Sequence, residues 1–175
     1  QAESSLVFRR LMRYRHILVA APSYLAKAER LVHPADLQDH RLLGFSKWFG
    51  DVSWTLSDGK ITERIPLKPW LSINDYAGVV SAAVSGMGVA EMPSILCRRE
   101  LHLGLLVAVM PEWQFEEVDL SAFYLTRRHP SRVIELFLDH CSDNAEKVLE
   151  FTIPPGGSPA KSARTRRVRV GPDSP

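Results

Sequence analysis

Between Tyr76 and Val84 every position is apolar or small, so this segment has no polar face to turn towards water. A stretch of that kind predicts a helix packed on a sheet. Asn74 or Asp75, just before it, carries the short acceptor side chain that satisfies first-turn N–H groups. Gly86 and Gly88 mark its end, because glycine accepts the left-handed backbone that helix termini use. Val89 to Met92 then reads as a short buried strand, and Pro93 as the opening of another helix, where its missing N–H costs least.

Elsewhere the pattern alternates in type. Leu6 to Leu11 reads as a strand with Leu6 and Phe8 on one face, and Arg9, Arg10, Arg13 and Arg15 as its solvated end. Ile17 to Ala21 is unbroken apolar sequence, the pattern of a strand covered on both faces of a parallel sheet. A helix from Pro22 to near Arg30 and a turn at Pro34 to Asp39 come next. Strands are predicted at Leu42–Phe45, Trp54–Leu56 and Ile65–Ser72, the last two separated by the turn Ser57-Asp58-Gly59-Lys60. Ser94 to Leu101 reads as a helix, Leu105 to Met110 and Val118 to Thr126 as strands, and Pro130 as the start of a final helix. In that helix Val133, Ile134, Phe137, Leu138, Cys141 and Ala145 recur at helical spacing, which predicts one face on a core. Strands alternating with helices make an α/β fold.

Composition changes this picture in one place. The chain has 175 residues, 45% hydrophobic and 24% charged, enough for a core. Its apolar runs fall short of the ~20 residues that cross a bilayer, and the first residues lack a basic-then-apolar signal pattern. The formal charge is +2, but Lys161, Arg164, Arg166, Arg167 and Arg169 against Asp173 alone give the tail a net charge of +4. The rest of the chain is therefore mildly acidic, without the broad basic character of a DNA-binding fold. From Pro154 the sequence turns to Pro, Gly, Ser and Arg, which predicts a solvated, disordered tail over residues 152–175. Cys97 and Cys141 lie far apart in helical stretches and read as two reduced, inert thiols.

Candidate chemistry is sparse. His16, His33, His40, His102, His129 and His140 show no metal-ligand spacing, so no metal or other cofactor is expected. There is no G-x-S-x-G, P-loop or Rossmann glycine pattern, and the turn Ser85-Gly86-Met87-Gly88 comes after a helix instead of preceding one. Asp36 with Asp39, and Glu116 with Glu117, stand in loop contexts that read as solvated carboxylates. These observations point away from an enzyme and towards a binding site. In doubly wound folds ligands sit beyond the carboxyl ends of strands, where helix N-termini point. Three places qualify: Ala21, Pro22 and Ser23; Phe45 and Ser46; and Ser72, Asn74, Asp75 and Tyr76. Asn74 reads either as a helix cap or as an amide offered to a ligand, and Asp75 places a carboxylate at the positive pole of the same helix.

The run Gly86-Met87-Gly88-Val89-Ala90-Glu91-Met92-Pro93 resembles the G-x-G-[IV]-A-x-[LM]-P signature of the effector-binding domain of LysR-type transcriptional regulators. Other pieces stand in the family's order. Arg15 to Leu25 is similar to R-x-[LV]-V-A-x-P-x-Y-L, Pro34 to Leu37 with His40 to P-x-D-L-x-x-H, and Trp54 to Leu56 to W-x-[FL]. Leu71 to Asp75 resembles the strand ending in N-D, and Gly104 to Val107 resembles G-x-L-V. Phe123 to Arg128 with Pro130 to Val133 resembles the return strand and final helix. The resemblance spans about Ser4 to Cys141.

It implies a two-lobed, type 2 periplasmic-binding-protein-like fold with an incomplete first lobe. Residues 1–16 would end lobe one and cross over, 17–117 would form lobe two, and 118–151 would return to lobe one. It further implies a small-molecule effector held in the cleft between lobes, with the polar start of the Tyr76 helix lining it. The whole protein would be a cytoplasmic homo-oligomer that binds DNA through a winged helix-turn-helix outside this chain, with no membrane partner. A free-standing solute-binding protein of the same fold is the alternative.

Overall fold

The computed structural model describes residues 5–45, 53–126, 130–150 and 166–168. The chain divides into two units, Arg15–Glu117 and Gln1–Tyr14 with Val118–Pro175.

In the unit Arg15–Glu117 the central sheet is built from the second part of β1 (Ser5–Ala20), β2 (Leu42–Phe45), β5 (Leu71–Ile73), β6 (Val89–Pro93) and β7 (Val107–Ala108), in the order β5-β2-β6-β1-β7. β2 runs parallel to β5 and to β6, with Phe45 beside Ile73 and Leu43 beside Ala90. β1 runs antiparallel to β6, His16 beside Pro93 and Ala20 beside Val89. The sequence-based expectation of a parallel strand at Ile17 to Ala21 is thus corrected. Burial on both faces is right, but direction is a property of the partner and leaves no trace in a strand covered on both sides. Leu6–Leu11 and Ile17–Ala21 are also one strand, not two.

Alternate residues feed two cores. Leu18, Ala20, Leu42 and Val89 pack with Trp54, Leu56 and Ile65, which belong to the hairpin of β3 (Ser53–Ser57) and β4 (Thr62–Pro66). Val19, Leu43, Ala90 and Met92 pack on the other face with Val79, Ala82 and Ala83 of α2 (Tyr76–Val84). The hairpin turn is the one expected: the Asp58 carboxylate accepts from the N–H groups of Lys60 and Ile61 at 2.8 and 2.9 Å. Those bonds hold its carboxyl below the usual aspartate value.

Some elements are shorter than their patterns. The helix at Pro22 is a single turn, α1 (Pro22–Leu25), and Ser94–Leu101 splits into a 3-10 turn at Ser94–Leu96 and α3 (Arg98–His102). Pro93 ends β6 and does not open a helix. Gly86, at φ +74°, turns the chain out of α2, whereas Gly88 serves close approach. A Cβ there would lie 2.2 Å from the carbonyl oxygen of Arg41.

In the unit Gln1–Tyr14 with Val118–Pro175, β8 (Glu117–Thr126) and β9 (Arg166–Val168) both pair with β1, β9 antiparallel with Leu6 beside Val168. The solvated tail expected from residue 152 is corrected over these three residues; the rest of it lies outside the described residues. α4 (Arg132–Glu150) buries Leu138 and Ala145 and half-buries Ile134 and Cys141, but Val133 and Phe137 are 75% and 61% exposed, so the expected core face is covered only in part. Helical periodicity marks an apolar face without specifying how much of it is covered.

Candidate functional site

β2, β5 and β6 are parallel, so their carboxyl ends share one edge of the sheet, and α2 starts at that edge. Asp75, not Asn74, is the cap: its carboxylate accepts from the Gly78 N–H at 3.1 Å. Gly78 lets this first turn sit on the end of β5, since a Cβ would be 2.8 Å from the Ile73 methyl. The Tyr76 ring then lies flat on Phe45 from the end of β2, centroids 4.1 Å apart and planes within 6°. Asn74 and Asp75, which lead into α2, are exposed, as is Ser72 in β5.

The antiparallel course of β1 brings His16 to the same edge. Its Nδ1 pairs with the Glu91 carboxylate, both side chains more than four-fifths buried. The imidazole stands edge-on to Tyr76 at 6.3 Å and to Phe115 at 6.4 Å, and Phe115 in turn stands edge-on to Trp54 at 6.2 Å. The edge therefore presents aromatic surface with an exposed amide and carboxylates at the start of α2 and on β6, a set suited to holding a small polar or aromatic molecule by stacking and hydrogen bonds.

Of the residues expected at a site, Phe45 and Tyr76 are in contact, with Asn74 and Asp75 exposed at the start of the same helix; Ser72, beside Gly44 in the sheet, alternates to the face opposite Leu71 and Ile73. Ala21, Pro22 and Ser23 are not at this edge. Because β1 is antiparallel to β6, its carboxyl end lies at the opposite edge, where Ser23 faces the turn after α2 and its Oγ is 2.9 Å from the Cβ position of Gly86. Ser46 lies outside the described residues. His16, Glu91 and Phe115 were not singled out by sequence reasoning, although Glu91 is the one charge in an otherwise apolar strand, Val89-Ala90-Glu91-Met92-Pro93.

Cys97 is fully buried and burial pushes its thiol up to about 12, so it is not a nucleophile near neutral pH. Among the described residues no three His, Cys, Asp or Glu side chains are grouped to hold a metal ion, and no helix is long and apolar enough to cross a membrane.

Comparison with known proteins matches this chain to regulators. The sequence family described as the LysR substrate binding domain matches residues 1–146. An HTH-type transcriptional regulator of Xanthomonas campestris pv. campestris is 30% identical over 141 residues, which are 78% of this chain and 41% of that protein. The chain thus spans less than half the length of that relative, and 44% of PtxR from Pseudomonas aeruginosa, to which it is 26% identical. The regulatory domain of AphB in Vibrio vulnificus superimposes with a TM-score of 0.68 at 30% identity, over 81% of this chain and 69% of that one. The CrgA regulatory domain of Neisseria meningitidis, a LysR-type regulator, gives 0.71 at 22% identity, over 83% and 71%, a likeness of fold. The chain belongs to the LysR substrate binding domain family and has the type 2 periplasmic-binding-protein-like fold of its regulatory domains.

Proposed function

We propose that the carboxyl edge of β2 and β5 is where the unit Arg15–Glu117 takes a small-molecule effector, and that binding there controls transcription by a longer regulator. The observation that carries this reading is the Phe45–Tyr76 stack at the start of α2, with exposed Asn74 and Asp75 leading into the same helix. The exposed Asn74 amide can donate to and accept from a ligand, and the Tyr76–Phe45 stack gives it an apolar wall. Function is by binding, not catalysis. The whole protein acts as a cytoplasmic homo-oligomer, with DNA contacted by a helix-turn-helix of the kind named in its relatives. A ligand that favours one conformation of the effector domain shifts that population, and nothing more is needed for control.

The test is a thermal-shift screen of small metabolites, then calorimetric titration of any hit against the parent chain and the variants Asn74→Ala and Tyr76→Ala. The expected result is loss of at least tenfold in affinity in each variant. A hit that binds both variants as tightly as the parent would place effector recognition elsewhere.

A further inference from the structure

The one charged residue of β6 stands on a face that otherwise feeds a core. Glu91 shares that face with Val89 and lies beside Leu18 of β1, and both of these pack with the β3–β4 hairpin. A buried carboxylate is costly, and well-packed apolar side chains of the same volume hold a strand as well as a buried ion pair does. Among the described residues Glu91 has one partner, His16, which engages Oε1. Its Oε2 has none, yet it is not sealed off; the enclosed side-chain atoms without a partner among the described residues are His40 Nε2 and Ser142 Oγ. An ionised carboxylate only accepts, so His16 Nδ1 donates, and Oε2 keeps capacity for a further donor. The rings that border this place are those of Tyr76 and Phe115, each in a T-shaped arrangement with His16.

We propose that Glu91 selects the ligand of this edge for a cationic, hydrogen-donating end, so that the effector is a small amine bearing an apolar or aromatic group. This rests on the reading that the effector binds at the start of α2, and adds its chemical class. The ammonium donates to Glu91 Oε2, a charge-assisted bond of the stronger kind. Its carbon frame packs on Tyr76 and Phe115, whose ring faces also attract a cation. His16 holds the carboxylate in place and is a positioning residue. Charge favours the same class of ligand. The contacts at this edge set two carboxylates, Asp75 and Glu91, against the single imidazole of His16, so an anion meets repulsion even with His16 protonated. Asp75 already answers the positive pole of α2, which leaves that pole with little to offer an anionic ligand.

The probes are phenethylamine, phenylacetate and phenethyl alcohol, which share a ring and differ in the charge of the end group. Each is titrated calorimetrically against the parent chain near neutral pH. The amine should bind at least tenfold more tightly than phenylacetate, with the alcohol between them. In Glu91→Gln the side-chain carbonyl still accepts from His16, and the amine should lose its advantage over the alcohol. Phenylacetate binding as tightly as the amine, no binding of the amine, or an amine affinity that Glu91→Gln leaves unchanged each overturns the proposal. The comparison of probes on the parent chain decides the matter even where Glu91→Gln folds poorly. Tyr76→Ala and Asn74→Ala separate this proposal from the reading beneath it. Phenylacetate bound in preference to the amine, and weakened by Tyr76→Ala, would overturn the amine class and leave the site standing. An amine lost in Glu91→Gln but held unchanged by Tyr76→Ala and Asn74→Ala would support the carboxylate's role and remove the site from the start of α2.

Discussion

Gly88→Ala isolates the backbone contact that sets β6 beside β2. The new Cβ would fall 2.2 Å from the Arg41 carbonyl oxygen, with the Arg41 carbonyl carbon at 3.0 Å and its Cβ at 3.1 Å. Ordinary contact needs about 1 Å more, and the obstacle is backbone, which cannot rotate aside. The same oxygen accepts from the Val89 N–H at 2.8 Å, immediately before Leu42 pairs with Val89. Parting the strands costs about 1–3 kcal/mol of overpacking and about 1 kcal/mol for the weakened hydrogen bond, together roughly 2–4 kcal/mol. Gly86→Ala meets a different obstacle. Its φ of +74° is unfavourable for alanine by about 1–2 kcal/mol, while the atom in its way, Ser23 Oγ, sits on a side chain that can turn. All four tryptophans lie between residues 15 and 117, so urea unfolding monitored by their fluorescence reports this unit. The expected order is Gly88→Ala less stable than Gly86→Ala, both below the parent, with unchanged denaturant slope. A Gly88→Ala midpoint within about 0.5 kcal/mol of the parent, or Gly86→Ala the costlier of the two, would refute the close-approach argument.

Asp75→Ala removes the cap bond to Gly78 and should cost about 1 kcal/mol in unfolding, whereas Asn74→Ala should stay within about 0.5 kcal/mol of the parent; equal losses would mean the cap is misassigned. Thiol labelling of the native chain near pH 8 should modify Cys141 and spare buried Cys97, whose thiol stays protonated, with both reacting in urea; two labels in the native state would contradict the packing at Cys97. The Arg13 hydrogen bond, aided by the nearby Arg13 and Arg10 charges, holds the Asp119 carboxyl below its ordinary value of 3.8. Its contribution to stability is present above that value and is lost as pH falls through the lowered folded-state one. Asp119→Asn should therefore flatten the acid limb of a stability–pH curve by less than about 1 kcal/mol, since the pair is exposed; an unchanged limb would mean that pair adds nothing.

Local pattern by itself determined the elements whose cause is local. An unbroken apolar and small-residue run gave a helix over Tyr76–Val84 that packs Val79, Ala82 and Ala83 on the sheet, a short acceptor side chain its cap, a glycine at φ +74° its stop, and Ser57-Asp58-Gly59-Lys60 a hairpin turn. These arise from side-chain volume, hydrogen-bond reach and backbone freedom within a few residues. The tertiary structure decided what depends on a distant partner. A strand covered on both faces looks the same whichever way its neighbour runs, so only the pairing with β6 shows that β1 is antiparallel. That direction carries Ala21–Ser23 away from Phe45 and Tyr76, and brings His16 to Glu91, 75 residues along the chain. Gly88 reads as a helix stop until Arg41 is seen against it. The apolar residues of α4 read as a core face, yet periodicity specifies a surface and not its cover, and Val133 and Phe137 stand exposed.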